Sequence, residues 1–287
     1  MLVRPLPGVM RQFVRDALHA AYLAGHNVYL SSDNGTADLY NAYFAWAHDS
    51  ARNLRNLISG QDIARLVLTP RYWNLYSVPV ASAQPIREAI KFELEQQGTA
   101  LQEAYGELDF LEQRWGALDR VQESVFMVAD TNVFCQHAER FDKADYAADL
   151  GIGDRPLHIV IPLVVVDELD RLKDRGQGAA KTNARDTIRL LDKFLPSPGD
   201  IGNVRPAGPS PADPGVLRGK VTVELFIDPP EHVRLPRPDD EIIDQAIVLQ
   251  GLAGRRIRVL IGDIGMSTRS RLRDLHTVRI NFPDPPA

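Results

Sequence analysis

A chain of 287 residues, 44% hydrophobic and 25% charged, has the makeup of a soluble globular protein and the length for one large domain or two smaller ones. Its longest apolar run, Leu157 to Val166, contains His158 and Pro162 and falls far short of the roughly 20 residues needed to cross a bilayer, so no membrane span is expected. A net charge of −5 argues against a generally basic polyanion binder, and the lone Cys135 rules out an internal disulfide, which makes a reducing cytoplasm the expected location.

The first segment carries Arg4, Arg11, Arg15 and Asp16 and does not read as a secretory signal. Residues 1–120 read as a mainly helical domain. From Thr36, a candidate N-cap, Leu39, Tyr43, Trp46, Leu54 and Leu57 recur at helical spacing, which predicts a helix to about Ser59. The segment from Arg71 to Tyr76 is an aromatic cluster, expected to pack between helices, with an exposed binding platform as the alternative. After Pro85, Ile86, Ile90, Leu94, Leu101, Leu108, Leu111 and Trp115 predict a second long amphipathic helix. Such helices suit self-association, so a homo-oligomer formed through this domain is expected.

From about residue 125 the pattern changes to short apolar strands alternating with helical stretches, the mark of a parallel sheet covered by helices. Strands are expected at Phe126–Ala129, His158–Pro162, Val221–Ile227, Arg258–Ile261 and Thr277–Phe282. Helices are expected at Val166 to about Lys173, Ala179 to Phe194, and Asp240 to about Leu252. Ten of the 20 prolines lie between Pro196 and Pro238, so most of that stretch reads as loop.

Open α/β sheets gather ligands at the carboxyl ends of their strands, and four acids fall in such places. Asp130 follows the first strand, Glu168 sits in the helix after the second, Asp240 opens a later helix and Asp263 follows Val-Leu-Ile-Gly. Each alone can be a cap or a turn residue. Together, carboxylates held at one point repel, and a divalent cation relieves them; an all-oxygen donor set suits Mg2+ or Mn2+. Such an ion can polarise a phosphodiester and lower the pKa of a bound water. No zinc-spaced Cys/His pair, Gly-rich phosphate loop or nucleophile elbow competes with this chemistry.

Ala129-Asp-Thr-Asn-Val-Phe134, Ile161-Pro-Leu-Val-Val-Val-Asp-Glu-Leu-Asp170, Asp240-Glu-Ile-Ile-Asp-Gln-Ala246 and Val259-Leu-Ile-Gly-Asp-Ile-Gly-Met266 resemble the motifs of the PIN-domain ribonuclease family. The resemblance covers about residues 125–283, places a nuclease domain at 125–287, and implies a five-stranded parallel sheet between helices with metal-dependent cleavage of single-stranded RNA. It makes Asp130, Glu168, Asp240 and Asp263 the catalytic and metal-binding quartet. Thr131 and Asn132 support the first loop. Asp244, four residues after Asp240 on the same helix face, is a further candidate ligand, whereas Asp239, Asp167 and Asp170 read as caps or solvated neighbours. Gly262 departs from the hydroxyl residue common before the last acid in that family. His137 and Cys135 read as helix-face positions. Lys173, Arg175, Arg269 and Arg271 are candidate contacts to the RNA backbone. Two other readings of the same motifs are a PIN-fold binding module with weak or lost catalysis, and the ribonuclease toxin of a toxin–antitoxin pair.

Overall fold

The computed structural model describes residues 2–31, 35–77, 83–119, 122–197, 199–210, 213–228 and 232–282. The chain forms two compact units, residues 1–114 with 251–254, and residues 115–250 with 255–287.

The first unit is helical, with α1 (Arg11–Leu30), α2 (Thr36–Leu54), α3 (Gly60–Leu66), α4 (Pro70–Tyr76) and most of α5 (Ala83–Gly116). Helix α2 ends at Leu54 rather than Ser59 because Ser59 takes another job, accepting the Asp62 N–H as the N-cap of α3. Thr69 caps α4 in the same way, with Pro70 following it in the first turn. Gly25 lets α1 approach α2, since a Cβ there would stand 2.9 Å from the Trp46 ring. The Trp46 indole in turn donates to the Ala21 carbonyl at 2.9 Å. The aromatic segment of α4 divides its roles: Tyr72 and Leu75 are buried, while Trp73 and Tyr76 are exposed.

The second unit is a mixed α/β fold around a six-stranded sheet. Its strands are β1 (Val125–Ala129), β2 (Leu157–Pro162), β3 (Gly202–Arg205), β6 (Val221–Phe226), β7 (Arg258–Ile261) and β8 (His276–Arg279), in the order β3-β6-β2-β1-β7-β8. A two-residue pair, β4 (Gly208–Pro209) and β5 (Leu217–Arg218), forms a small hairpin of its own. Its helices are α6 (Thr131–Gln136), α7 (Tyr146–Asp149), α8 (Leu163–Arg175), α9 (Gly178–Phe194), α10 (Pro238–Ala253) and α11 (Ile264–Leu272). Strands β1 and β2 are buried at every residue, which is why they read as unbroken apolar runs rather than as alternation.

The five expected strands are parallel neighbours, and a sixth corrects the expected count: β3 joins β6 antiparallel at the sheet edge. It lies inside the proline-rich stretch expected to be loop, and its half-exposed residues carry no apolar run. The loop reading at residues 198, 211–212 and 229–231 lies outside the described residues. Helix α10 begins two residues early, at Pro238, whose fixed φ suits a first helical turn. From β1 the chain adds β2 and β6 on one side and later β7 and β8 on the other, so the strand order reverses between β1 and β7. Open α/β sheets bind ligands at such a point. The Asp130 N–H bonds the Leu260 carbonyl at 3.0 Å across it.

Candidate metal and active site

Asp130 leaves the end of β1 and is only 3% exposed. Asn132 Nδ2 donates to its Oδ2 at 3.3 Å. Burial, then the charges of Asp239 and Glu168, push its pKa from 3.8 to about 6 against the opposing pull of the Asn132 amides. Glu168, in the second turn of α8, accepts a hydrogen bond from Thr131 Oγ1 at 2.6 Å. Thr131 and Asn132 therefore each hold one carboxylate, and the charges of Asp239 and Glu168 act on Asp130.

Helix α10 presents two adjacent acids differently. Arg269 of α11 reaches both, with Nη2 2.8 Å from Asp239 Oδ2 and Nε 2.8 Å from Asp240 Oδ1. Arg237 lies 3.8 Å from Asp240 Oδ2. Asp240 and Asp244 line a cleft of about 390 Å³ with Arg269, Arg273 and Leu235. Asp263 is exposed and caps α11, its Oδ1 accepting the Met266 N–H at 2.6 Å. The structure thus groups Asp130 with Glu168, Thr131 and Asn132. It gives Asp240 and Asp244 a common cleft, and engages Asp263 locally. Asp239, set aside in the sequence as a cap, is the α10 acid whose charge acts on Asp130.

Gly262 has a steric cause. A Cβ there would stand 2.3 Å from the Phe282 ring, so no side chain fits before Asp263 while that ring is in place. Cys135 is buried, and burial followed by the charges of Asp130 and Glu168 pushes its thiol to about 12, leaving it unreactive. His137 faces Asp149 at 3.3 Å. Of the basic candidates, Lys173 pairs with Asp170, Arg175 is exposed in the last turn of α8, and Arg271 Nε reaches the Ser267 carbonyl at 3.4 Å.

A second polar cluster, invisible in the sequence motifs, joins Asp228, His232 and Glu241. Among the described residues it is the group of three or more His, Cys, Asp or Glu side chains whose donor atoms all lie within 4.8 Å of one another. Its members come from a strand end, a connecting segment and a helix, and no familiar metal-motif spacing announces them.

A mostly parallel sheet with a strand-order reversal and acids following its strands defines an α/β protein with a carboxylate site. The family model described as PIN domain matches residues 127–281, more than half of the chain, and the chain belongs to the PIN-domain family. PIN domains are generally nucleases and typically use divalent metal ions. No curated protein matches the chain.

Proposed function

We propose that the second unit is a Mg2+- or Mn2+-dependent endoribonuclease that hydrolyses phosphodiester bonds of single-stranded RNA. The carrying observation is the burial of the Asp130 carboxyl at the end of β1, next to the charges of Asp239 and Glu168, a strain that an oxygen-seeking dication would relieve. Asp130, Glu168 and Asp263, with α10 contributing Asp239 or Asp240, would hold the ion, and Asp244 stands beside Asp240. Such an ion supplies a lowered pKa for water and stabilises the charge of the leaving oxygen. Thr131 orients Glu168, and Asn132 orients Asp130. Above about pH 6 Asp130 carries the charge this role needs. Lys173, Arg175, Arg269 and Arg271 supply positive charge for the RNA backbone, a contribution that weakens with salt.

The deciding experiment is Asp130→Asn in the full chain. It is expected to abolish Mn2+-dependent cleavage of unstructured RNA while keeping the far-UV circular dichroism, and undiminished cleavage would sink the reading. One observation favours a second reading, an RNA-binding PIN module without catalysis: Arg269 already neutralises Asp239 and Asp240. RNA binding by wild type with no cleavage at saturating Mn2+ would decide for it. A reducing cytoplasm, consistent with the lone Cys135, completes the proposal, as does self-association through the first unit, which exposes Phe13, Leu23, Trp73 and Tyr76.

A further inference from the structure

We infer a second metal site, separate from the acids at β1, in which Asp228, His232 and Glu241 take a zinc-class dication. The three titratable donors converge from the end of β6, the segment before α10 and the first turn of α10. His232 Nε2 is 2.7 Å from Glu241 Oε1. Gln245 Nε2 lies at the meeting point, 3.2 Å from Asp228 Oδ1, 3.1 Å from His232 Nε2 and 2.7 Å from Glu241 Oε1.

Hydrogen bonds close the cluster as it stands. With its proton on Nε2, His232 donates to Glu241 Oε1, and the two Gln245 amide protons serve Glu241 Oε1 and Asp228 Oδ1. The Gln245 amide thus puts N–H dipoles at the meeting point of three metal-ligating side chains, the position a cation shared by them would take. Gln245 is 1% exposed and its Oε1 has no hydrogen-bond partner among the described residues, so nothing at that end holds the amide in the cluster when a cation displaces it.

The outer atoms are already fixed as a metal site requires. Asp228 Oδ2 takes Arg234 Nε at 2.7 Å, leaving Oδ1 to point inward. Glu241 Oε2 accepts the Leu235 N–H at 2.8 Å, leaving Oε1 inward. Ligands held by a second layer of hydrogen bonds in this way favour binding. One imidazole with two carboxylates selects a transition-metal dication over Mg2+ or Ca2+, and three protein donors with one open position match a common zinc coordination.

The site does not depend on the nuclease reading. The test uses the full chain, stripped with EDTA and titrated separately with Zn2+, Co2+ and Mg2+. One equivalent of Co2+ is expected to bind with a visible d–d band that Zn2+ bleaches and Mg2+ does not. His232→Gln and Glu241→Gln are expected to weaken Co2+ binding by more than about 100-fold, beyond the usual effect of losing only an outer partner. Asp130→Asn and Glu168→Gln are expected to retain the band, whether or not they retain RNA cleavage. If Glu241→Gln fails to fold by circular dichroism, His232→Gln and Asp228→Asn decide. A wild-type protein without the band, a band that survives His232→Gln, or a band lost in folded Asp130→Asn would each overturn the site.

Discussion

Thr131 Oγ1 donates to Glu168 Oε2 at 2.6 Å, fastening the first residue of α6 to the second turn of α8. That bond sets where the Glu168 carboxylate stands relative to Asp130. Thr131→Val keeps the shape and removes the donor. The Mn2+ concentration for half-maximal RNA cleavage is expected to rise about 10–100-fold, as when an outer partner of a metal ligand is lost. Thr131→Ser should restore it. An unchanged Mn2+ titration in Thr131→Val would show that the bond positions nothing.

The raised pKa of Asp130 gives the metal-free protein a defined pH response. Folded, the carboxyl titrates near 6, against 3.8 for an ordinary aspartate, so between these values the folded state binds more protons than the unfolded one. Stability then falls as pH rises through that window, by up to about 3 kcal/mol. Asp130→Asn removes the charge, so in EDTA at pH 7 its Tm is expected to exceed that of the wild type while its cleavage is lost. Added Mn2+ should stabilise the wild type preferentially. A lower Tm for Asp130→Asn in EDTA would contradict this account.

Arg269 competes with any cation for Asp239 and Asp240. Its side chain is 32% exposed and those of the acids 38% and 34%, so solvent screens the pairs and each is worth at most about 1 kcal/mol. Arg269→Gln is expected to lower the Mn2+ requirement about 2–5-fold in a cleavage titration. It should also weaken RNA binding and flatten its salt dependence. A higher Mn2+ requirement would mean that Arg269 orders the acids rather than occupying them.

The tail of α5 contributes to the second unit through Trp115, whose indole donates to Glu224 Oε1 at 2.6 Å. His158 Nε2 lies 3.0 Å from the same buried oxygen. Trp115→Phe deletes a donor to a buried carboxylate and should cost about 1.5–3 kcal/mol in a urea melt. A loss below 0.5 kcal/mol, about the floor for a net hydrogen bond, would show that other partners of Glu224 compensate.

At Gly262 the conflict is purely of space. Gly262→Ser drives a Cβ into Phe282 and should destabilise by about 1–3 kcal/mol. The double variant with Phe282→Ala should recover the part of this loss that comes from the clash. Equal thermal melting of wild type and Gly262→Ser would remove the steric explanation.

The strands β1, β2, β6 and β7 were legible because buried parallel strands are written as apolar runs. Strand β8, expected at Thr277–Phe282, runs His276–Arg279 at the sheet edge with its first and last residues exposed, so its bounds were harder to read. Strand β3 was not legible: an antiparallel edge strand of four residues, half exposed and set among prolines and glycines, has no pattern to read. The role of Asp239 was hidden by helix phase. Each residue turns about 100° around the axis, so adjacent acids of α10 point in different directions; the charge of Asp239 is the one that acts on Asp130, and Arg269, distant in sequence, pairs with both acids. The Asp228, His232 and Glu241 cluster lies within one short stretch between β6 and the first turn of α10, but its spacing matches no familiar metal motif, so nothing in the sequence marked it.

The placement of β1 between β2 and β7 also fixes when the acids can come together. During synthesis β1, β2 and β6 emerge early and can pair, but the Leu260 carbonyl that anchors Asp130, the helix that carries Arg269, and Asp263 itself all arrive with the last part of the sheet. A growing chain therefore holds Asp130 beside an open strand edge until β7 docks. The arrangement of charge at the strand ends is completed only once β7 and α11 have been made and β7 has docked beside β1.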